Sequence, residues 1–138
     1  MKAHHDGSIR IKESEARRRF DDFEIGLARA ALDADPRHVG ALHMLGQALT
    51  RAGRHQEALE ADLRLASLRP DDPVVFYNLA CSHAQLENLD AAFESLYRAF
   101  ELGYNDYPHL LRDPDLKNLR DDLRFKKLLE RKWGKRQP

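Results

Sequence analysis

The sequence predicts an all-α protein built from antiparallel helical hairpins. Apolar residues recur at spacings of three and four along most of the chain, as on one face of an α-helix. No segment alternates polar and apolar residues convincingly enough to predict a strand. A pattern of small and large apolar residues also repeats after a shift of 34 residues. The 138 residues are enough for one domain with its own core.

The first predicted helix carries one apolar stripe along residues 13–34. The residues of this stripe are Ala16, Phe20, Phe23, Leu27, Ala30, Ala31 and Ala34. We expect the preceding residues 1–12 to be a flexible start, because they lead into no apolar segment. The helix and the loop after it form the first unit of the chain, residues 13–38.

Two helical hairpins are predicted next, in residues 39–72 and 73–106. Gly53 separates the two helices of the first hairpin, since glycine breaks a helical pattern. Asp72-Pro73 predicts the start of the second hairpin, with a capping carboxylate followed by proline in the first turn. Asn88 is the predicted cap of the last helix. The helices are defined by the residues Leu42, Leu45, Leu49; Ala58, Leu59, Leu65; Phe76, Leu79, Ala80, His83; and Ala92, Phe93, Leu96, Ala99, Phe100.

Small residues recur at matching places in the two hairpins. A shift of 34 residues aligns Gly46 with Ala80, Ala58 with Ala92 and Pro36 with Pro70. Small side chains at these places let paired helices approach closely. A larger residue would push the pair apart.

This period and pattern resemble the tetratricopeptide repeat. The residues of 39–72 that match its layout are Leu42, Leu45-Gly46, Leu49, Ala58 and Pro70, and those of 73–106 are Phe76, Leu79-Ala80 and Ala92. Asp62 stands in a normally apolar position, His83 replaces the usual tyrosine, and Tyr104 stands where proline is usual. The resemblance implies a short right-handed solenoid of stacked hairpins, with residues 13–38 as a degenerate first unit.

The segment 107–138 breaks the period and is predicted to cap the last hairpin. Asp113-Pro114 and Asp121-Asp122 are helix-start signals, which predict short helices over 113–120 and 122–132. The end of a solenoid would otherwise expose an apolar face. The leucines and phenylalanine expected to cover it are Leu110, Leu111, Leu116, Leu119, Phe125, Leu128 and Leu129.

The resemblance also implies a concave groove lined by the first helix of each hairpin. The predicted groove residues are His43, Gln47, Thr50 or Arg51, Tyr77, Asn78, Cys81 and Gln85. Tyr77 would supply a flat ring, Gln47 and Asn78 would bond a peptide backbone, and Arg51 would pair with a carboxylate. The groove would bind a peptide or a partner protein. The alternative is that these are ordinary exposed side chains of a helix.

Catalysis, metal binding and cofactors have no support in the sequence. It contains no glycine-rich phosphate loop, no Gly-x-Ser-x-Gly elbow and no His-Glu-x-x-His helix. Cys81 and His83 are two residues apart on a helix, so they point in different directions. The paired acids lie at predicted helix starts, where they complement the helix dipole. We therefore expect a non-enzymatic protein with no metal and no cofactor.

Charge and cysteine content suggest where and with what the protein works. The charges of the 23 basic and 23 acidic side chains cancel over the whole chain. Residues 21–111, however, hold fifteen acidic and seven basic groups, whereas residues 112–138 hold five acidic and ten basic groups. Binding of an anionic polymer by the basic tail is therefore an alternative to the groove. Residues 13–34 also carry Phe20, Phe23, Leu27 and Leu32 without a complete partner helix in their own unit, so self-association through the N-terminal helix or the tail is another alternative. We expect no nucleic-acid partner, because no recognisable reading module accompanies the basic clusters.

A single cysteine, Cys81, excludes an internal disulfide and favours a reducing, cytoplasmic setting. No apolar run approaches the roughly 20 residues that span a bilayer.

Overall fold

The computed structural model describes the backbone of residues 2–134 and the side chains of residues 12–134. This part of the chain is helical and contains no strand, so the predicted all-α class is confirmed. A 3-10 turn, Pro114–Leu116, joins the sixth and seventh helices. The α-helices in chain order are α1 (Lys2–Ala34), α2 (Val39–Arg51), α3 (His55–Leu68), α4 (Pro73–Gln85), α5 (Leu89–Glu101), α6 (Tyr107–Arg112), α7 (Lys117–Arg120) and α8 (Leu123–Trp133).

Helix α1 packs on α2 mainly through residues outside the apolar stripe seen in the sequence. Its buried residues include Ile25, Ala28 and Leu32, which form a core with residues of α2. Phe20 and Phe23, members of the predicted stripe, are 59% and 67% exposed. Spacing locates an apolar face without showing whether another helix covers it. The helix also begins at Lys2, within the expected flexible start.

Helices α2–α5 form two consecutive antiparallel hairpins in which each helix packs on the next. Asp72 caps α4 as predicted, because its carboxylate accepts from the backbone N–H of Val74 at 2.9 Å. Gly53 takes a φ of +75° in the turn between α2 and α3, a conformation that glycine adopts without strain. Asn88 lies at the start of α5 but makes no side-chain capping bond. That part of the prediction was wrong.

The small residues lie where the helices meet, as the repeat predicted. Ala58, Ala80 and Ala92 are fully buried. At Gly46 an added Cβ would lie 2.7 Å from Oδ1 of Asp62. The Asp62 carboxylate cannot move away freely, because its other oxygen accepts a hydrogen bond from Ser82.

Gly46→Ala should lower the free energy of unfolding by about 1 kcal/mol. Overpacking costs about 1–3 kcal/mol, which outweighs the gain of about 1 kcal/mol in helix propensity. The matched control is Gly26→Ala, where nothing lies within 4 Å of the added Cβ. This control should gain about 0.5–1 kcal/mol. Urea unfolding of the two variants checks the pair, and a stabilising Gly46→Ala would contradict the close approach of Asp62.

The segment 107–134, called the capping segment below, covers the end of the second hairpin as predicted. Leu110, Leu116 and Leu119 are fully buried in a core shared with α4 and α5. Leu111, which was also expected to cover this end, is 36% exposed and lies outside that core. The predicted helix over 113–120 is divided into the 3-10 turn and α7, whereas 122–132 corresponds closely to α8. Trp133 meets Phe100 edge-on, with ring centroids 5.1 Å apart. The cap closes the apolar end of the hairpin.

Candidate functional site

A concave cleft lies between α2, α4 and the capping segment, with a volume of about 210 Å³. Helices α2 and α4 are the first helices of the two hairpins, and side chains from both of them line this cleft. Five of the seven predicted groove residues line it: Gln47, Tyr77, Asn78, Cys81 and Gln85. Thr50, the predicted alternative to Arg51, lines it as well.

Arg51 and His43 do not line this cleft. The Arg51 guanidinium donates to Asp21 at 3.1 Å and also pairs with Glu24, both on α1. Arg51 therefore fastens α1 to α2 and is not turned toward the cleft. His43 is exposed on α2, outside the cleft wall.

Tyr77 is buried and belongs to the core. It is only 4% exposed, and its ring stacks on Tyr104 with centroids 4.3 Å apart. Its hydroxyl donates a hydrogen bond to Oδ2 of Asp113 at 2.6 Å. The exposed ring that the sequence suggested as a binding anchor is covered, because the capping segment folds over it. Tyr77 therefore positions the cap beside the cleft.

Asp113 is the centre of a hydrogen-bond cluster at one end of the cleft. Besides the Tyr77 hydroxyl, Oδ2 lies 3.1 Å from Nε2 of His109 and accepts from the Cys81 thiol at 3.8 Å. Its Oδ1 accepts the backbone N–H of Asp115 at 3.0 Å. The sequence identified Asp113 only as a helix-start signal. Spacing gave no sign of the contact with α4, because 36 residues separate Asp113 from Tyr77.

The Cys81 thiol is kept protonated by its surroundings. Burial raises the pKa of Cys81 well above its usual value, and the nearby carboxylate of Asp113 raises it further. A thiol in this state is a poor nucleophile. Ligand atoms of Cys81, Asp113 and Asp115 lie within 4.8 Å of one another, but the hydrogen bonds just described already use the Asp113 oxygens.

Asp62 is a second buried carboxylate in the cleft wall. It accepts a hydrogen bond from the Ser82 hydroxyl at 2.5 Å and is 7% exposed. Burial raises the pKa of Asp62 to about 6, against the opposing effect of the Ser82 hydrogen bond. This residue occupies the position where the repeat pattern usually has an apolar side chain, so the departure seen in the sequence marks a polar contact between α3 and α4.

Two amide side chains in the cleft are free to bind. Gln47 and Asn78 make no side-chain hydrogen bond to any other residue with a described side chain. Gln85 donates to Asp115 at 3.1 Å. Burial, together with the charge of Asp113, raises the pKa of Asp115. The described lining of the cleft holds three aspartates and one histidine, His109, and no lysine or arginine is among these residues.

Several basic side chains of α8 contact residues of α5. Arg124 pairs with Asp90 at 2.6 Å and lies over the ring of Phe93 at 4.5 Å. Arg131 lies over the ring of Tyr97 at 5.0 Å. Lys126-Lys127 is exposed, and Lys135-Arg136 lies outside the described residues. Lys132 donates to the backbone carbonyl of Phe100 at 3.3 Å. Arg124, Arg131 and Lys132 thus hold α8 against α5.

Comparison with known proteins supports the helical repeat. The family model described as Tetratricopeptide repeat matches residues 74–103, which cover most of α4 and α5. The chain is also similar to a chloroplastic protein from Arabidopsis thaliana, with 32% identity over 88 residues. That match covers 62% of this chain and 26% of the relative, so the chain spans about a quarter of the relative's length. No helix in the described part of the chain is both long and apolar enough to cross a membrane.

The repeat and the geometry agree on one family. The matched residues form the second hairpin, and the first hairpin precedes it by the same 34-residue period. Tetratricopeptide repeats generally serve protein–protein interaction and not catalysis. Residues 74–103 of this chain are thus a tetratricopeptide repeat, and the first hairpin repeats its pattern.

Proposed function

We propose that this protein is a non-enzymatic adaptor that binds an extended segment of a partner protein in the concave cleft. The observation that carries the proposal is the pair of unengaged amides, Gln47 on α2 and Asn78 on α4. Each amide offers a donor and an acceptor, which is what a peptide backbone needs. Because they lie on successive first helices, they can bond one extended segment at two places.

The charge of the cleft indicates the chemistry of that segment. Its wall holds three carboxylates, Asp62, Asp113 and Asp115, and no lysine or arginine. A lysine or arginine side chain of the partner would be attracted to this end of the cleft, whereas a carboxylate would be repelled. Arg51, which we expected to meet a carboxylate, is instead engaged by α1. The proposed partner segment is therefore basic.

Other features support a binding role over a catalytic one. The cleft's thiol is protonated, and its buried carboxylates accept hydrogen bonds from neighbouring side chains. The described residues of the cleft therefore do not place an activated nucleophile beside a general base. We place the protein in the cytoplasm as part of this proposal, because a free thiol such as Cys81 stays reduced in that compartment.

A displayed library of random peptides tests the proposal. Peptides enriched on the protein should carry lysine or arginine and should bind in fluorescence anisotropy. Gln47→Ala with Asn78→Ala should weaken that binding by about 5- to 150-fold, because each lost hydrogen bond contributes about 0.5–1.5 kcal/mol.

The matched control replaces the same residue types outside the cleft. Gln56 and Asn105 are exposed and do not line it. Gln56→Ala with Asn105→Ala should leave the dissociation constant unchanged. Equal weakening in both double variants, or enrichment of acidic peptides, would contradict the proposal.

A further inference from the structure

A second hollow lies between α1 and the turn that joins α2 to α3. Its wall includes Arg17 and Arg18 on α1, together with Arg51 and Arg54 at the end of α2 and in the turn, and it is called the arginine hollow below. Its volume is about 960 Å³, more than four times that of the concave cleft, and the two share no lining residue. Ligand pockets typically measure about 300–1,000 Å³, so the arginine hollow is large enough to be a separate binding site.

The arginine hollow exists because α1 runs on past the end of α2. Arg51, the last residue of α2, donates to Asp21 at 3.1 Å, so α2 ends beside the middle of α1. Ile25 and Leu32 lie on the face of α1 that packs on α2. Arg18 continues this face, because it stands three residues before Asp21 and seven before Ile25. Arg18 therefore lies on the packing face of α1 at a level where α2 has already ended.

The arginines of the hollow that have no partner both lie on α1. Arg51 and Arg54, at the turn, already interact with carboxylates of the same chain. Those carboxylates belong to Asp21 and Glu24 for Arg51, and to Glu57 and Asp22 for Arg54. Arg17 and Arg18 are exposed and make no side-chain hydrogen bond or ion pair with any residue whose side chain the structure describes. Two neighbouring guanidinium groups, each with five N–H donors, are suited to bind a pair of carboxylates.

Apolar side chains form another part of the wall. Phe20, which is 59% exposed, lines the arginine hollow together with Ala16 and Ala52. An acidic segment with an apolar side chain between its carboxylates matches both the charge and this apolar surface. A long polyanion does not match the protein beyond the hollow, because residues 21–111 hold fifteen acidic and seven basic groups and would repel it.

From this geometry and these charges we propose that the arginine hollow binds a short acidic segment of a partner protein. Arg17 and Arg18 pair with carboxylates of that segment, and Phe20 contacts the apolar side chain between them. The proposal does not rest on the concave cleft, which lies on other residues and has the opposite charge preference. With both sites occupied, the protein joins two partner segments of opposite charge.

Fluorescence anisotropy with a labelled acidic peptide tests the proposal. The peptide Glu-Glu-Leu-Glu-Glu, blocked at both ends, should bind with a dissociation constant below about 1 mM. Arg17→Gln with Arg18→Gln should weaken this binding about tenfold, because two exposed ion pairs are lost. The matched control, Arg37→Gln with Arg69→Gln, removes the same charge from exposed arginines outside the hollow and should leave the dissociation constant unchanged. No binding by the wild type, or equal weakening in the two double variants, would overturn the proposal.

A change in the peptide tests the contact with Phe20. Phe20→Ser should weaken binding of the leucine peptide by about 3- to 10-fold, because the leucine buries apolar surface on the ring. Binding of Glu-Glu-Ser-Glu-Glu should not change, and equal losses for the two peptides would contradict the contact. A labelled oligothymidylate is the competing ligand. If it binds more tightly than the leucine peptide, and Arg17→Gln with Arg18→Gln abolishes its binding, the hollow takes a polyanion and the acidic-segment proposal is overturned.

Discussion

Asp113→Ala should lower the free energy of unfolding by about 2–5 kcal/mol. The substitution removes the carboxylate that caps the 3-10 turn, and it leaves the Tyr77 hydroxyl buried without an acceptor. Losing a cap costs about 0.5–2 kcal/mol, and leaving a buried donor unsatisfied costs about 1–3 kcal/mol. Urea unfolding followed by circular dichroism measures the loss.

Asp121→Ala is the control for Asp113→Ala. Asp121 is an exposed carboxylate in the same segment and makes no side-chain hydrogen bond to a described residue. Its replacement should change stability by no more than about 0.5 kcal/mol. Tyr77→Phe combined with Asp113→Ala should cost less than the two single losses together, because both remove one hydrogen bond. Equal losses at positions 113 and 121 would show that the cap is not held through Asp113.

Stability should fall as the pH rises from about 4 to about 6, through Asp62. Burial raises the pKa of Asp62 from 3.8 to about 6, so the folded state binds this proton more tightly than the unfolded state. The contribution of the neutral carboxyl is complete below pH 3.8 and is lost as the pH passes about 6. The difference amounts to about 2–3 kcal/mol.

Asp62→Asn isolates this contribution. Asparagine stays neutral, so the variant should lack the loss between about pH 4 and about pH 6. The stability of Asp62→Asn relative to wild type should therefore rise with pH across that window. Asp71→Asn, at an exposed carboxylate, should follow the wild-type profile. A wild-type profile parallel to that of Asp62→Asn would mean that Asp62 titrates normally.

The sequence predicted the hairpins well because local signals and the repeat agreed. Asp72-Pro73 and Gly53 mark ends of helices, and small residues such as Ala58 and Ala92 mark close contacts. These signals depend on neighbouring residues along the chain. Because the same pattern recurs after 34 residues, the prediction of each hairpin supports the prediction of the other. A single helical pattern gives no such check.

The sequence could not show which surfaces the rest of the chain covers. Phe20 and Phe23 have core-like spacing, yet no described helix packs on them. Tyr77 has the position of a groove residue, but the capping segment buries it. Its hydroxyl bonds Asp113, which is 36 residues away in sequence. Arg51 has a suitable charge and position for a ligand, but α1 supplies its partners. In each case a contact distant in sequence decides the side chain's role, and periodicity carries no information about such contacts.

The side-chain amide resonances of the protein test the cleft most directly. In a ¹⁵N-resolved spectrum recorded with an enriched basic peptide, the NH₂ signals of Gln47 and Asn78 should shift on titration, while those of Gln56 and Asn105 should not. Shifts at Gln56 or Asn105 with none at Gln47 and Asn78 would place the peptide elsewhere and contradict the account.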